Sequence, residues 1–220
     1  MPKVNFIQKI HNSTKRDCLG RMVDEKVKCM KIARKFSKDF FDGRRRYGYG
    51  GYKYMPGHLS SLAKKIIKKY KLNNRSSILD IGCGKGFLLY EIKKLLPKIN
   101  ISGFDISNYS IKNSKKEVKK YLFTFDLNKK LSFAKSKHFD LVICLATLHN
   151  LKPKQAFQAI KEINRVSKKK YIMVDSYSNI QELFNLQCWA LTANIFFSDE
   201  DWIWFFKKAK YTGDYEFIHF

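Results

Sequence analysis

The sequence predicts a doubly wound α/β fold, a mostly parallel sheet with helices on both faces. Three observations carry that prediction. Beyond Ser76, short apolar runs alternate with segments of helical periodicity. A glycine-rich turn, Gly82-Cys83-Gly84-Lys85-Gly86, joins the first of those runs to the helical pattern after it. Phe139 to Ala146 is almost unbroken apolar sequence, as a strand covered on both faces requires.

The elements follow in chain order. Residues 1–18 are polar and mixed and carry no assigned element. From Leu19 to Phe36, the residues Leu19, Met22, Val23, Val27, Met30 and Ala33 fall at helical spacing. Gly43, Gly48, Gly50 and Gly51 then interleave with Tyr47, Tyr49, Tyr52 and Tyr54, which predicts an irregular aromatic loop. Leu59, Leu62, Ala63, Ile66, Ile67 and Tyr70 mark another amphipathic helix, closed by Asn73-Asn74-Arg75. Strands are predicted at 77–81, 100–104, 121–125, 139–146, 171–174 and 215–220. Helices are predicted from Phe87 to Leu96, as a polar segment from Ser107 to Lys120, through Phe157, Ile160, Ile163 and Val166, and over 180–193 and 199–209. Residues 1–75 therefore read as an N-terminal helical cap with a Tyr/Gly-rich lid loop, and residues 76–220 as the sheet domain.

Composition bounds the rest. A chain of 220 residues buries roughly 70% of its unfolded surface and needs no disulfide or metal to hold a core. No apolar run reaches the about 20 residues that cross a bilayer, and the start has no continuous apolar stretch; a cytoplasmic location is expected. Cys18, Cys29, Cys83, Cys144 and Cys188 have no metal-ligand spacing and read as reduced, buried side chains. The net charge of +25 is carried almost wholly by lysine, much of it on polar helix faces such as Lys64-Lys65 and Lys68-Lys69. A solvated surface explains it better than a dedicated nucleic-acid face, though that alternative stays open; either way the field attracts small anions.

The glycine turn follows Leu79-Asp80-Ile81. Its pattern is G-x-G-x-G; a dinucleotide fingerprint would need its third glycine where Phe87 stands. The carboxylate of Asp80 disfavours a pyrophosphate there and suits a ligand bearing an amino acid and a sulfonium. Asp105, in Gly103-Phe104-Asp105-Ile106-Ser107, ends the next strand, where an acid can accept from both ribose hydroxyls. In Asp126-Leu127-Asn128 the carboxylate and the Leu127 N–H can hold an adenine edge, or the segment is a plain Asx turn.

With those residues, the stretch from Ser77 to Tyr177 resembles the class I S-adenosylmethionine (SAM)-dependent methyltransferases. Asp80-Ile81-Gly82-Cys83-Gly84-Lys85-Gly86 is similar to their glycine motif and Phe139-Asp140-Leu141-Val142 to their fourth-strand motif. The resemblance implies a Rossmann-like sheet of seven strands with one antiparallel edge strand, of which only one clear strand after the fifth is visible here. It implies SAM as cofactor, held by Asp80, Gly82, Cys83, Gly84, Gly86, Asp105, Ile106, Asp126 and Leu127. The stretches Tyr47–Tyr54, Thr147–Leu151 and Tyr211–Tyr215 also resemble small bacterial methyltransferases associated with surface-polysaccharide or sugar modification.

Candidate reacting groups follow the fourth and fifth strands. His149 has the pKa range of a general base, and Asp175 and Tyr177 stand at the same edge to orient an acceptor. Tyr49 and Tyr52 are expected to cover the cofactor, and Arg44, Arg45 and Arg46 to grip an anionic group on a small-molecule acceptor. Trp202, Trp204, Phe205 and Phe206 read as core or as a dimer contact; the oligomeric state is left open. A methyltransferase acting on RNA or protein, and a SAM-binding protein without activity, are the rival readings. No metal site is expected.

Overall fold

The computed structural model describes residues 1–50 and 52–220; Gly51, within the Tyr/Gly loop, lies outside the described residues. The N-terminal part holds α1 (Gln8–Asn12), α2 (Cys18–Val23), α3 (Lys26–Ala33), α4 (Lys38–Asp42) and α5 (Ser60–Tyr70). Then follow β1 (Ser77–Ile81), α6 (Phe87–Leu95), β2 (Asn100–Asp105), α7 (Asn108–Lys112) and β3 (Leu122–Thr124). The remainder is β4 (Phe139–Leu145), α8 (Pro153–Val166), β5 (Ser167–Asp175), α9 (Ile180–Trp189), α10 (Asp199–Lys208) and β6 (Asp214–Ile218). The strands form one sheet in the order β3-β2-β1-β4-β5-β6. Every pairing is parallel.

The period-two geometry of strands splits the apolar residues between the two faces. On one face Leu79, Ile81, Val142, Cys144, Ile172 and Val174 pack against α8 and α10. On the other, Ile78, Ile101, Leu141, Ile143 and Met173 pack against α5 and α6. β4 contributes to both cores, which is why its sequence is unbroken apolar. Trp202, Phe205 and Phe206 are buried in the first core, while Trp204 is exposed.

Four elements differ from the sequence reading. The segment from Leu19 to Phe36 is two helices: Glu25 takes a left-handed conformation (φ +43°), and Arg46 holds both Asp24 and Glu25 at the break. The polar helix expected over 107–120 stops at Lys112; the Asn113 amide turns back onto Tyr109 O, and Lys115 N–H is taken by Lys85 O. β5 starts four residues earlier than its apolar run, through Lys168, Lys169 and Lys170. No antiparallel strand occurs among the described residues: α9 and α10 carry the chain back to the start of β5, and β6 runs beside it in parallel.

Residues 2–4 extend along β6, with Val4 N–H donating to Tyr215 O and Tyr215 N–H to Pro2 O. The anchor beside them is Glu216, 1% exposed. Its carboxylate accepts from the backbone N–H groups of Phe6, Ile7 and Gln8 at 2.7–2.9 Å and from the Tyr171 hydroxyl. One buried side chain on β6 thus satisfies the free donors at the start of α1. Hydrogen bonds to a charged group each contribute about 1.5–3 kcal/mol, so Glu216→Ala is expected to cost about 3 kcal/mol of stability and to free residues 1–16 for proteolysis. Urea denaturation and limited digestion measure both; a variant as stable and as resistant as wild type would show that the N-terminal segment is held elsewhere.

Candidate active site

A cavity of ≈ 850 Å³ opens at the carboxyl ends of β1, β2, β4 and β5. It lies where strand order reverses between β1 and β4, the position at which such sheets bind ligands. Its size is toward the upper end of the ~300–1,000 Å³ usual for small-ligand sites.

The glycine turn forms one wall. Gly82 has φ +74°, and a Cβ there would stand 2.1 Å from Thr147 Oγ1, so the loops after β1 and β4 close against each other only with glycine. Gly84 has φ +55°, and a Cβ there would meet only the Phe41 ring, at an ordinary contact distance of 3.7 Å. That gap is a cradle in which a ligand can approach the backbone. Asp105 stands beside it: Oδ2 accepts from Gly84 N–H and Oδ1 from Ser107 N–H, both at 2.9 Å. Burial raises its pKa and these two hydrogen bonds oppose the rise. Each carboxylate oxygen keeps a lone pair for a diol. Asp126 Oδ1 accepts from Asn128 N–H, an Asx turn, while Leu127 N–H donates to no described residue. Asp126, Leu127 and Ile106 line the cavity. The Asx turn and an adenine edge are compatible, because the turn uses one oxygen.

The N-terminal part supplies the facing wall. Lys85 is 9% exposed, and its ammonium contacts both oxygens of Asp42 at 2.6 and 2.7 Å. Burial pushes the Asp42 carboxyl up, but hydrogen bonds from Lys85 and Tyr109 outweigh it and hold it below its ordinary value. This pair fastens α4 to the glycine turn and sets Phe40 and Phe41 on the cavity. Tyr52 packs edge-on to Phe41 at 4.7 Å and lines the cavity. Tyr49 lines it too; its hydroxyl accepts from Leu191 N–H (2.6 Å) and Thr192 N–H (3.1 Å).

His149 and Asp175 meet across β4 and β5. His149 is 4% exposed; its Nδ1 accepts from Asp175 N–H at 3.1 Å, and its Nε2 faces Asp175 Oδ2 at 3.5 Å. An Nδ1 that accepts leaves the ring proton on Nε2, which lies 3.5 Å from the carboxylate without a hydrogen bond to it. Burial raises the Asp175 pKa; His149 and Arg16 oppose it.

The structure does not bring every predicted residue to the cavity. Cys83 and Gly86 lie behind the turn and are not among its lining. Asp80 is buried at the base of the turn; its carboxylate receives no hydrogen bond from a described residue, and burial, with the Asp105 charge, raises its pKa to about 7. Arg45 lines the cavity. Arg44 is exposed, and Arg46 is occupied by Asp24 and Glu25. Tyr47 packs near Phe40, Tyr54 donates to Glu91 on α6, and Tyr177 packs with Leu186, Ala190 and Ala193. Conversely, Arg16, His11, Trp189 and Thr192 line the cavity and were not singled out. The available signal was arginine itself. In a lysine-dominated chain, Arg16, Arg21, Arg34, Arg45, Arg46 and Arg165 each donate to a defined carbonyl or carboxylate.

Comparison with known proteins places the family and the fold. Residues 72–212 match a family model described as a methyltransferase domain. An 89-residue stretch, 40% of the chain, is 28% identical to a malonyl-[acyl-carrier protein] O-methyltransferase from Bacillus anthracis. The match spans 32% of that enzyme, so the chain covers about a third of the length of this curated relative. A SAM-dependent methyltransferase from Archaeoglobus fulgidus shares the fold with a TM-score of 0.55 at 21% identity, over 78% of this chain and 71% of that one. The YcgJ protein of Bacillus subtilis does so at 0.52 and 17%, over 69% and 68%.

Asp80 gives a pH test of the site. Its folded pKa lies above its unfolded value of 3.8, so between about pH 4 and 7 the folded state holds a proton the unfolded chain has lost. That group's contribution to stability therefore falls as pH rises through this window. Asp80→Asn is expected to raise the urea midpoint at pH 8 and to leave it unchanged near pH 4. An equal gain at both would mean the carboxylate is not protonated by burial.

Proposed function

Since the chain belongs to the methyltransferase-domain family, we propose that it transfers the methyl group of SAM to a small anionic acceptor, a sugar or nucleotide sugar. The observation that carries this reading is one continuous cavity. It joins the cradle at Gly84 and Asp105 to the His149–Asp175 pair and to Arg45.

The residues present fit the cofactor. Asp105 would accept from the ribose diol, Asp126 and Leu127 N–H would hold the adenine, and the backbone at Gly82 and Gly84, with Asp80 beneath, would receive the amino-acid end. Ile106 closes the adenine side, and Tyr49 and Tyr52 cover the site from the lid loop. When bound, SAM supplies an electrophilic methyl on a sulfonium. The protein's own work is to hold the acceptor in line; such positioning contributes about 7–11 kcal/mol. Asp175 takes the acceptor's proton, and burial makes it the stronger base. His149 acts through it, with Nδ1 occupied by the Asp175 backbone N–H and Nε2 3.5 Å from the carboxylate. Residues 1–75 serve as the cap that closes over the acceptor.

Purified protein is incubated with SAM labelled on its methyl group and an extract of the source cells, and the products are separated by size. Label in the small fraction is the expected outcome. Label in RNA or protein transfers the proposal to the basic surface; intact SAM binding without transfer to any fraction supports a SAM-binding protein. Asp105→Ala is expected to weaken SAM binding at least tenfold. Asp175→Asn should leave SAM affinity within twofold and reduce kcat by about 10²–10⁴, the range of general-base catalysis. His149→Ala should lower kcat less than Asp175→Asn does; the reverse order would make the imidazole the base.

A further inference from the structure

We propose that Arg16 and Arg45, packed on Trp189, form a subsite for a phosphoryl group carried by the acceptor. Only the word acceptor rests on the methyltransferase reading; the anion site stands on its own geometry.

Arg16, Arg45 and Trp189 all line the cavity. The guanidinium carbons of Arg16 and Arg45 lie 5.6 and 5.1 Å from the Trp189 ring centre. A third, that of Arg21, lies 4.1 Å from the same ring and 5.4 Å from Tyr49. Arg21 donates to Arg45 O and Gly48 O, so it fixes the backbone that carries Arg45. Arg16 is held by His11 O and Thr14 O through Nη1, and Arg45 by Gly48 O through Nη1. Each keeps Nε and Nη2 free of described partners, forked and available.

No described carboxylate forms a salt bridge with any of the three. Burial lowers all three pKa values, and the charge of Arg45 lowers those of Arg16 and Arg21 further. The cluster is thus an accumulation of positive charge without a described counter-ion, with Arg16 and Arg21 partly buried and Arg45 exposed at the cavity edge. His11 adds a neutral partner. Burial, then Arg16, pushes its pKa down to about 4, and both of its ring nitrogens are buried without a hydrogen bond. A neutral imidazole there donates one N–H to an oxyanion or accepts from a hydroxyl.

The donors favour phosphoryl over carboxylate. A carboxylate brings one charge and two oxygens to two cavity-facing forks. A phosphoryl group brings up to two charges and three strong acceptor oxygens, enough for both guanidiniums and His11. Asp175 lies within electrostatic reach of Arg16, so the phosphoryl group sits in the compartment where the acceptor's nucleophile must meet the base.

The full-length protein is titrated with inorganic phosphate and with pyrophosphate at constant ionic strength, with acetate as the comparison, following tryptophan fluorescence. A saturable change with both phosphates and none with acetate is expected, and Trp189→Phe should remove it. Arg16→Gln and Arg45→Gln should each weaken phosphate binding at least tenfold, and exposed Arg44→Gln should not. Arg16→Lys and Arg45→Lys keep the charge without the fork; partial retention in them separates local loss of the subsite from unfolding. A response equal for acetate, no saturation, or undiminished phosphate binding in the Arg16→Gln/Arg45→Gln double variant overturns the proposal, the last by placing the anion on the lysine surface. SAM affinity is measured separately by calorimetry. Phosphate binding without SAM binding sinks the methyltransferase reading and keeps the subsite; SAM binding without phosphate binding does the opposite.

Discussion

The reversal of strand order between β1 and β4 is the constraint on which the site depends. The two strands are hydrogen-bonded neighbours, yet the chain after β1 winds toward β2 and that after β4 toward β5. Their following segments part and leave a crevice that neither helix layer covers. Each loop then meets the other at its base: Gly82 must lack a side chain because Thr147 occupies that space. The rest is added to this opening. Lys85, within the turn, grips Asp42 and so draws the N-terminal aromatics over the crevice. Glu216, at the far edge of the sheet, fastens the start of α1, whose neighbours Ile7 and Ile10 close the cavity from the other side.

The cavity is electrically two-sided. Asp105, Asp126 and Asp175 line it, with Asp80 buried beneath, while Arg16 and Arg45 stand together at Trp189. A ligand cation is favoured at the first group and an anion at the second. The overall charge of +25 does not define this pattern, because it averages over surface lysines. It does set the sign of the far field, which brings anions toward a cavity whose lining includes Arg16, Arg45 and Lys152. Burial adjusts the acids in the same sense: Asp80, Asp105 and Asp175 are all raised, so each gains more from a cationic or proton-donating ligand than a solvated carboxylate would.

The sheet was legible because its strands are buried on both faces, and burial writes apolar runs. It became illegible where a strand kept only its backbone in the sheet. Lys168 and Lys169 lie in β5, but their ammonium groups reach Asp140 and Tyr70 O, so a lysine run conceals three residues of pairing. The N-terminal part was read less well for a different reason. Helical spacing continues through Asp24 and Glu25, and the partner at the break, Arg46, lies 22 and 21 residues later. The same division holds at the site. Gly82 and Gly84 are legible because one short turn holds both, and Asp105 because it ends the strand that follows, where its carboxylate meets the Gly84 N–H. Arg16 and the neighbouring Trp189 and Thr192 come from opposite ends of the chain and share no pattern; the fold alone assembles them.

Arginine usage joins these points. Lysine meets any need for a solvated positive charge, and here it does so almost everywhere. Arginine offers what lysine cannot, a rigid planar fork that stacks on an aromatic face and donates along two edges. Arg34 uses that fork to bind Leu191 O and Ala193 O, and Arg165 to bind Glu162 with two backbone carbonyls. Those forks are spent on the fold. Arg16 and Arg45 use one nitrogen each on the backbone, keep two without a described partner, and line the cavity beside Trp189. Arg21 and Arg46 also commit a single nitrogen each to the fold, so unspent donors alone do not mark a site; what sets Arg16 and Arg45 apart is that they line the cavity, beside Trp189.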